Sequence, residues 1–344
     1  MESSSPQKSV YFLGAGASKA SDFQLPTMSE FFTEEDFKQD KYPALHKFIG
    51  RVFPKVSFKE LNLEEVITRL ELGIDRFGAF GEHPEPYLYE ARREFTSYVR
   101  ERLQYKPING RPTCEKHTVL LGQLNEKDSI ITLNYDLIVD YGLYAISPKH
   151  DGGELKEGSL LNRMYTILKP GLILGGAPPS LRHSYAGLGH YLKLHGSIDW
   201  LYCPYPSCWQ HQRFFPNRID WKEEAHNSPG DPCIFCGSPL ESVIIPPTMN
   251  KTFIEYPQLG LLWTLAWKEI RVADRLVLIG MSLPESDYYL KWLISSAVVT
   301  REKKPSVVVV NKDKEVCEKI GKLTGESPRY YDGFCKYIEG IKTA

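Results

Sequence analysis

Five short apolar runs, each ending in a glycine or a polar residue, constrain the fold of this chain most. They are "SVYFLGAGAS" (9–18), "SIITLNYD" (129–136), "YLKLHG" (191–196), "RLVLIGMS" (275–282) and "SVVVVNKD" (306–313). Near-continuous apolar strands separated by helical patterns indicate an α/β fold, a parallel sheet covered by helices on both faces. In such a sheet the strand carboxyl ends share one rim, and ligands bind in the crevice beyond it. Gly14, Asn134, His195, Gly280 with Ser282, and Asn311 end these runs and are expected to line that rim.

The intervening sequence reads as follows. Residues 1–8 are a polar tail. Residues 28–105 are helical, with Leu63, Val66, Ile67, Leu70, Ile74 and Phe77 on one stripe and Leu88, Ala91, Phe95 and Tyr98 on another. Asn62 with Glu65 resembles a capping box. "GAFGEHPEP" (78–86) is a loop between these helices, and 147–189 is a long Gly-, Pro- and Ser-rich excursion. "SVIIPP" (242–247) is expected to return to the core. Helices are expected at 259–270 and from Asp287, and one final helix after the last apolar run. The α/β domain thus comprises 9–27, 106–197 and 243–344, interrupted by a helical insertion (28–105) and a cysteine-bearing module (198–242).

The chain has 344 residues, 42% hydrophobic and 25% charged, with net charge −1. That balance suits an ordinary globular protein and argues against a general duplex-binding surface. No 18-residue apolar stretch suggests a membrane span, since "GLILGGAPP" is too short and too rich in Gly and Pro. A cytoplasmic location is the expectation. Seven cysteines, four of them clustered, point to metal in a reducing compartment rather than to a disulfide framework.

The cluster is Cys203, Cys208, Cys233 and Cys236: C-x4-C, 24 residues, then C-x2-C. Two close thiol pairs suit a tetrahedral structural zinc, with no position left open for water. Free thiols, or His211 or His226 in place of one cysteine, are the alternatives. A nucleic-acid-binding ribbon is another, because "WQHQRFFPNR" mixes aromatic and basic residues. Cys114, Cys317 and Cys335 read as ordinary buried thiols.

"GAGAS" (Gly14, Ala15, Gly16, Ala17, Ser18) is a turn that lets backbone N–H groups approach a phosphate. It is not a complete dinucleotide fingerprint, because Lys19 occupies the third glycine position. Asn134 and Asp136 lie two apart at a strand end, suited to ribose, a carboxamide or water, or equally to capping a helix. Ser282 and Asn311 sit where a phosphate or ribose would bind, or where a cap would form. His195 offers a base that titrates near neutrality.

Taken in this order, "GAGAS", "TLNYD", "LHGSIDW", two cysteine pairs, "GMSLPESD" and "VVVVNKD" resemble the sirtuins, over roughly 9–45, 114–145 and 190–320. The likeness is closest to the divergent bacterial sirtuin-like branch, many of whose members hydrolyse NAD in anti-phage defence. "LNLEEVITRLE" resembles a helical segment of that branch. The resemblance implies a Rossmann-like NAD-binding domain with a smaller zinc-binding and helical module. It implies that Ala15 and Gly16 meet the pyrophosphate, with Gly14, Ala17, Ser18, Pro26 and Gly280 around the cofactor. It places Asn134 at the nicotinamide ribose or a water, Asp136 by the carboxamide and His195 as catalytic base. Ser282 would contact phosphate or ribose, and Asn311 the adenosine ribose. Gly196 would leave room for the cofactor beside the imidazole.

The chain also departs from protein-deacylating sirtuins. Their Gly-Ile-Pro-Asp-Phe-Arg stretch is replaced by "FQLPTMSEF", which keeps only Pro26. Leu133 and Tyr135 replace a Gln and an Ile, Met281 replaces a Thr, and the first cysteine pair is wider. "SVIIPPTMNKTF" lacks the usual peptide-binding pattern. These changes favour an NAD hydrolase over a protein deacylase or ADP-ribosyltransferase, with a non-catalytic NAD or ADP-ribose sensor as a further alternative. Unregulated NAD loss would be toxic, so gating by a homo-oligomer or a partner subunit is expected.

Overall fold

The computed structural model describes residues 7–79, 86–108, 110–149, 156, 159, 161, 189–209, 211, 214–216, 229–245, 257–284 and 287–343. Its strands are β1 (Ser9–Leu13), β2 (Ser129–Thr132), β3 (Tyr191–Lys193), β4 (Gly196–Tyr202), β5 (Phe215–Pro216), β6 (Glu241–Ile244), β7 (Arg275–Ile279), β8 (Ser306–Asn311) and β9 (Arg329–Asp332). Its helices are α1 (Ala15–Lys19), α2 (Pro43–Val52), α3 (Leu63–Ala79), α4 (Pro86–Leu103), α5 (Glu115–Gly122), α6 (Ile138–Ile146), α7 (Pro257–Val272), α8 (Tyr288–Val299), α9 (Glu315–Thr324) and α10 (Phe334–Lys342).

The five apolar runs form adjacent strands of one sheet in the order β3-β2-β1-β7-β8-β9, and every pairing is parallel. This is the doubly wound Rossmann order, in which the winding direction reverses between β1 and β7. Register is flush at the rim. Leu13 pairs with both Thr132 and Ile279, and Thr132 pairs with Lys193. Helices α5, α6 and α10 pack on one another, as do α7, α8 and α9, so the sheet is flanked by two groups of helices. Leu276, Val277, Leu278 and Ile279 are all nearly inaccessible to solvent. Each such side chain contributes about 1.5–3 kcal/mol of apolar burial.

Three expectations need correction and a fourth is sharpened. The region after β8 is not one helix, because β9 lies between α9 and α10 as a sixth strand. It is a four-residue, half-exposed edge strand with no apolar alternation to announce it. "SVIIPP" returns to the core, with Val243 buried in the main apolar cluster, but not to the main sheet, since β6 pairs antiparallel with β4 in a separate sheet of order β5-β4-β6. Lys8 is no tail residue, since its backbone N–H bonds Asp274 at 3.0 Å and its Nζ reaches Glu269 at 2.7 Å. Cys335 is exposed and Cys317 half-buried, whereas Cys114 is buried.

The expected excursion at 147–189 and the expected loop at 78–86 lie largely outside the described residues, with α3 reaching Ala79 and α4 starting at Pro86. The stripes on α3 and α4 do pack together. Leu63, Val66, Ile67 and Leu70 meet Leu88, Ala91, Phe95 and Tyr98 in a second apolar cluster, which also takes in Tyr135, Ile138, Ile198 and Ile244. Asn62 caps α3 by accepting from the Glu64 N–H at 2.8 Å, while Glu65 pairs with Arg69 instead of closing a box. Arg92 on α4 donates to Tyr202 Oη at 3.0 Å, tying the helices to the small sheet.

Candidate active site

A cavity of about 370 Å³ opens where the winding reverses, at the carboxyl ends of β1 and β7. Gly14, Asn134, His195, Gly280, Ser282 and Asn311 all line it. Ala15 and Gly16 line it too. Ala17, Ser18, Asp136 and Pro26 do not, although Thr27, Met28 and Ser29 after Pro26 do.

The glycines have a clear physical reason. A Cβ on Gly14 would lie 2.7 Å from the Gly280 oxygen, and one on Gly16 only 2.8 Å from Gly280 Cα. Gly280 itself has φ +63°, and its Cβ would lie 2.2 Å from the Ala17 nitrogen. The two turns therefore touch backbone to backbone, joined by Gly16 N–H to Gly280 O at 2.8 Å and Gly14 N–H to Ile279 O at 2.9 Å. The amides of Gly14 and Gly16 are thus engaged within the protein, and Ala15 is the loop residue between them at the cavity wall.

Behind the loop lies a buried polar relay. Asn134 Nδ2 donates to Gly14 O at 3.0 Å and to Ser18 Oγ at 2.9 Å, and Ser18 Oγ donates to Asp136 Oδ2 at 2.6 Å. Asp136 Oδ1 accepts from the Ile138 N–H at the start of α6, so Asp136 sits one layer behind the cavity. Burial pushes its carboxyl up, against the Ser18 hydrogen bond and the Lys193 charge. Lys193, wholly buried, donates to Asp136 O and Asp140 Oδ2 at 2.7 and 2.9 Å. With both Nδ2 protons engaged, Asn134 offers its side-chain oxygen, an acceptor for a hydroxyl or a water.

His195 lies where the chain leaves the main sheet. Gly196 has φ +87°, and its Cβ would fall 2.2 Å from Val243 O. The glycine is therefore required by the turn and by β6, not by space for a cofactor. Ile245 N–H donates to His195 O at 2.9 Å, and Trp263 Nε1 donates to Leu194 O at 3.0 Å. The imidazole packs beside Trp263 and Tyr135, at ring-centroid distances of 6.2 and 6.3 Å.

Sequence reasoning missed several cavity residues. Asp287, read only as a helix start, lines the cavity with its Oδ2 4.0 Å from His195 Nε2. Glu64 and Asn62 reach it from α3, and Asp313 from beyond β8. A carboxylate close after a strand-end serine was the available signal for Asp287; nothing local marked Glu64. Burial, with the nearby charges of Glu64 and Asp287, pushes the Tyr135 phenol well up. Asn311 donates to Met281 O at 2.5 Å and accepts from the Asp313 N–H at 3.0 Å, bracing the β7 and β8 turns. Leu283 has φ +49°, so the wall carries a leucine in the left-handed region.

A second cavity, of about 700 Å³, lies between α7 and α8 and is lined by Trp263, Trp267, Tyr288, Tyr289 and Trp292. Trp263 is shared, since its ring also packs beside His195.

The four clustered cysteines converge, with sulfurs all within 4.8 Å of one another. Cys203–Cys236 and Cys208–Cys233 Sγ separations are 3.5 and 3.7 Å. Those are too long for disulfides. They approach the roughly 3.8 Å edge of a sulfur tetrahedron built on Zn–S bonds of about 2.3 Å. Hydrogen bonds from Ser238 hold the exposed Cys236 thiol down to about 6, which favours the thiolate a metal needs. The donor set fits structural zinc, which would join the end of β4 to the 233–236 turn. His211 instead bonds Cys203 O at 3.1 Å through Nδ1. His226 and half of "WQHQRFFPNR" lie outside the described residues.

The fold and site together define a Rossmann-type α/β protein with a four-cysteine module. No protein-family model matches the sequence, and no curated protein matches it. Among solved structures, the chain is similar to a mutant Sir2 homologue in complex with ADP-ribose, at 14% identity and TM-score 0.42, over 98% of this chain and 92% of that one. It is also similar to a triple-mutant Sir2 homologue in complex with 2'-O-acetyl ADP-ribose, at 15% identity and TM-score 0.46 over the same shares. A third is Sir2 bound to an inhibitor, 2'-O-acetyl-ADP-ribose and a deacetylated peptide, at 15% identity and TM-score 0.40, over 98% and 91%. At this distance the likeness says nothing of activity. Among the described residues, no helix is long and apolar enough to cross a membrane.

Proposed function

We propose that this protein hydrolyses NAD at the nicotinamide–ribose bond, giving nicotinamide and ADP-ribose. The observation that carries this reading is the meeting of His195, Asn134 and the glycine turn in one cavity at the winding reversal. That is where doubly wound sheets bind dinucleotides. The motif resemblance to sirtuins supplies the choice of NAD.

In this reading Ala15, Gly16 and Ser282 face the pyrophosphate, and Asn311 with Asp313 faces the adenosine ribose. Asp313 suits the 2'-hydroxyl and would repel a 2'-phosphate, so NAD is preferred over NADP. Asn134 accepts a hydrogen bond from the nicotinamide-side ribose or the attacking water. His195 takes the proton of that water, a contribution of about 10²–10⁴-fold for a positioned base. Asp136 acts one step back, through Ser18, on Asn134. Glu64 puts negative charge beside a ribose that becomes cationic as nicotinamide leaves. The zinc is structural.

A cytoplasmic location suits the free-thiol chemistry of the module. A role in bacterial anti-phage defence, with activity gated by a homo-oligomer or a partner subunit, follows from the resemblance and from the cost of uncontrolled NAD loss.

The experiment is incubation with NAD alone, followed by product analysis. The hydrolase forms ADP-ribose and nicotinamide together without an acceptor, and Asn134→Ala and His195→Ala each lose at least 100-fold in rate. No NAD loss, or equal rates in all three proteins, contradicts the reading.

One observation favours a second reading, transfer of ADP-ribose to an acceptor or deacylation. The aromatic cavity shares Trp263 with the His195 site and could seat an apolar acceptor. NAD consumption that requires an added acceptor peptide would select it.

A further inference from the structure

We propose that Asp287 is the counter-ion and orienting partner of His195; this inference rests on the NAD-cleavage reading above. Asp287 Oδ2 lies 4.0 Å from His195 Nε2, and the two side chains are 2% and 3% exposed. Solvent and salt screen such a pair poorly.

Each member of the pair is held from behind. Asp287 Oδ1 accepts the Leu290 N–H at 3.1 Å, which makes the carboxylate the N-cap of α8 and fixes its rotamer. His195 is pinned through its carbonyl by Ile245 and through Leu194 by Trp263. Among the described residues, the groups facing the imidazole come from four elements. They are Tyr135 from the β2–α6 turn, Trp263 from α7, Asp287 from the head of α8, and Glu64 from α3, which lines the same cavity. Tyr135 is neutral and donates its hydroxyl proton to Ile245 O at 3.0 Å. Among the described residues these charged neighbours are carboxylates, and Asp287 lies within ion-pair distance.

At 4.0 Å the resting pair is too long for a hydrogen bond. It becomes an ion pair when His195 is protonated. In the proposed reaction the C1'–N1 bond breaks and its electron pair leaves on the nicotinamide nitrogen. The water oxygen bonds to C1', and the water proton passes to His195. Asp287 holds the imidazolium as its ion-pair partner, after which the proton returns to solvent. It is a positioning residue, acting through His195.

The cap suggests the test. Asn caps helices as well as Asp does, so Asp287→Asn removes the charge and keeps α8; Asp287→Ser is a second neutral cap. The imidazole resonances of ligand-free protein are titrated by NMR, with His195 assigned from its absence in His195→Ala. We expect the His195 midpoint to fall by about one unit in both variants. In the rate assay, kcat for NAD should fall about tenfold, KM should stay close to wild type, and the acidic limb of the pH profile should move down by the same unit. An unmoved midpoint in both variants, with thermal stability retained, overturns the inference. If the wild type fails to cleave NAD, the reading of the site falls while the NMR titration still decides the pair.

Discussion

The main sheet and the cysteine module hold themselves together by opposite means. The sheet is embedded in a broad continuous apolar cluster that runs from β1 to α10. Among the described residues, the cluster around the cysteines has five buried members, three of them cysteines, while Trp200, Tyr202 and Phe214 of the same segment pack into the main cluster. Around it, Tyr205, Trp209, Ile234 and Phe235 are exposed. So small a cluster contributes little against the conformational entropy of the cysteine-bearing turns. We expect the cysteine end of the module to lean on metal, whereas the sheet and its rim rely on packing.

Cys233→Ser should break this contrast most sharply. Structural zinc is worth on the order of 10 kcal/mol to a small domain. Metal analysis should drop from about one zinc per chain to none, and limited proteolysis should open the module while the sheet keeps its unfolding transition. Loss of that transition as well would show that the sheet also depends on the metal.

Gly280→Ala should be the next largest. A Cβ there collides with the Ala17 nitrogen at a positive φ, so thermal unfolding should show a loss of about 4 kcal/mol with zinc content unchanged.

Acid sharpens the comparison in a different way. Burial pushes His117, 1% exposed, down to about 4. The unfolded chain takes up a proton below about 6.5, but the folded chain does not until about 4. The sheet region should thus be unaffected above pH 6.5 and lose about 3 kcal/mol as pH falls through that window. Denaturant titrations of His117→Leu at several pH values should lack this slope, while the module still releases metal as its thiolates protonate. Ser18→Ala should have the smallest effect, about 1–2 kcal/mol, because it leaves Asn134 and Asp136 each short of one buried hydrogen bond.

Much of the rim was legible in the sequence because a parallel strand announces itself by apolar continuity and its end by the first residue that breaks it. Gly14, Asn134, His195, Gly280 and Asn311 were found in that way. The cysteine spacing was equally local. What was hidden depended on distant backbone. Gly196 looked like space for a ligand, but it answers to Val243, and the contact between Gly16 and Gly280 had no local pattern. Asp287 capped a helix and faced the imidazole at once, and only the first role has a local pattern. Glu64 belongs to a helical segment whose approach to the rim is purely tertiary. β9 escaped because a half-exposed edge strand of four residues carries almost no periodic signal.

The most direct measurement is an experimental structure of the protein with ADP-ribose. The account predicts the product lying across the ends of β1 and β7, its pyrophosphate beside Ala15 and Ser282, its adenosine ribose at Asn311, and its free C1' facing Asn134 and His195. ADP-ribose bound elsewhere, or lying with C1' away from His195, would contradict it.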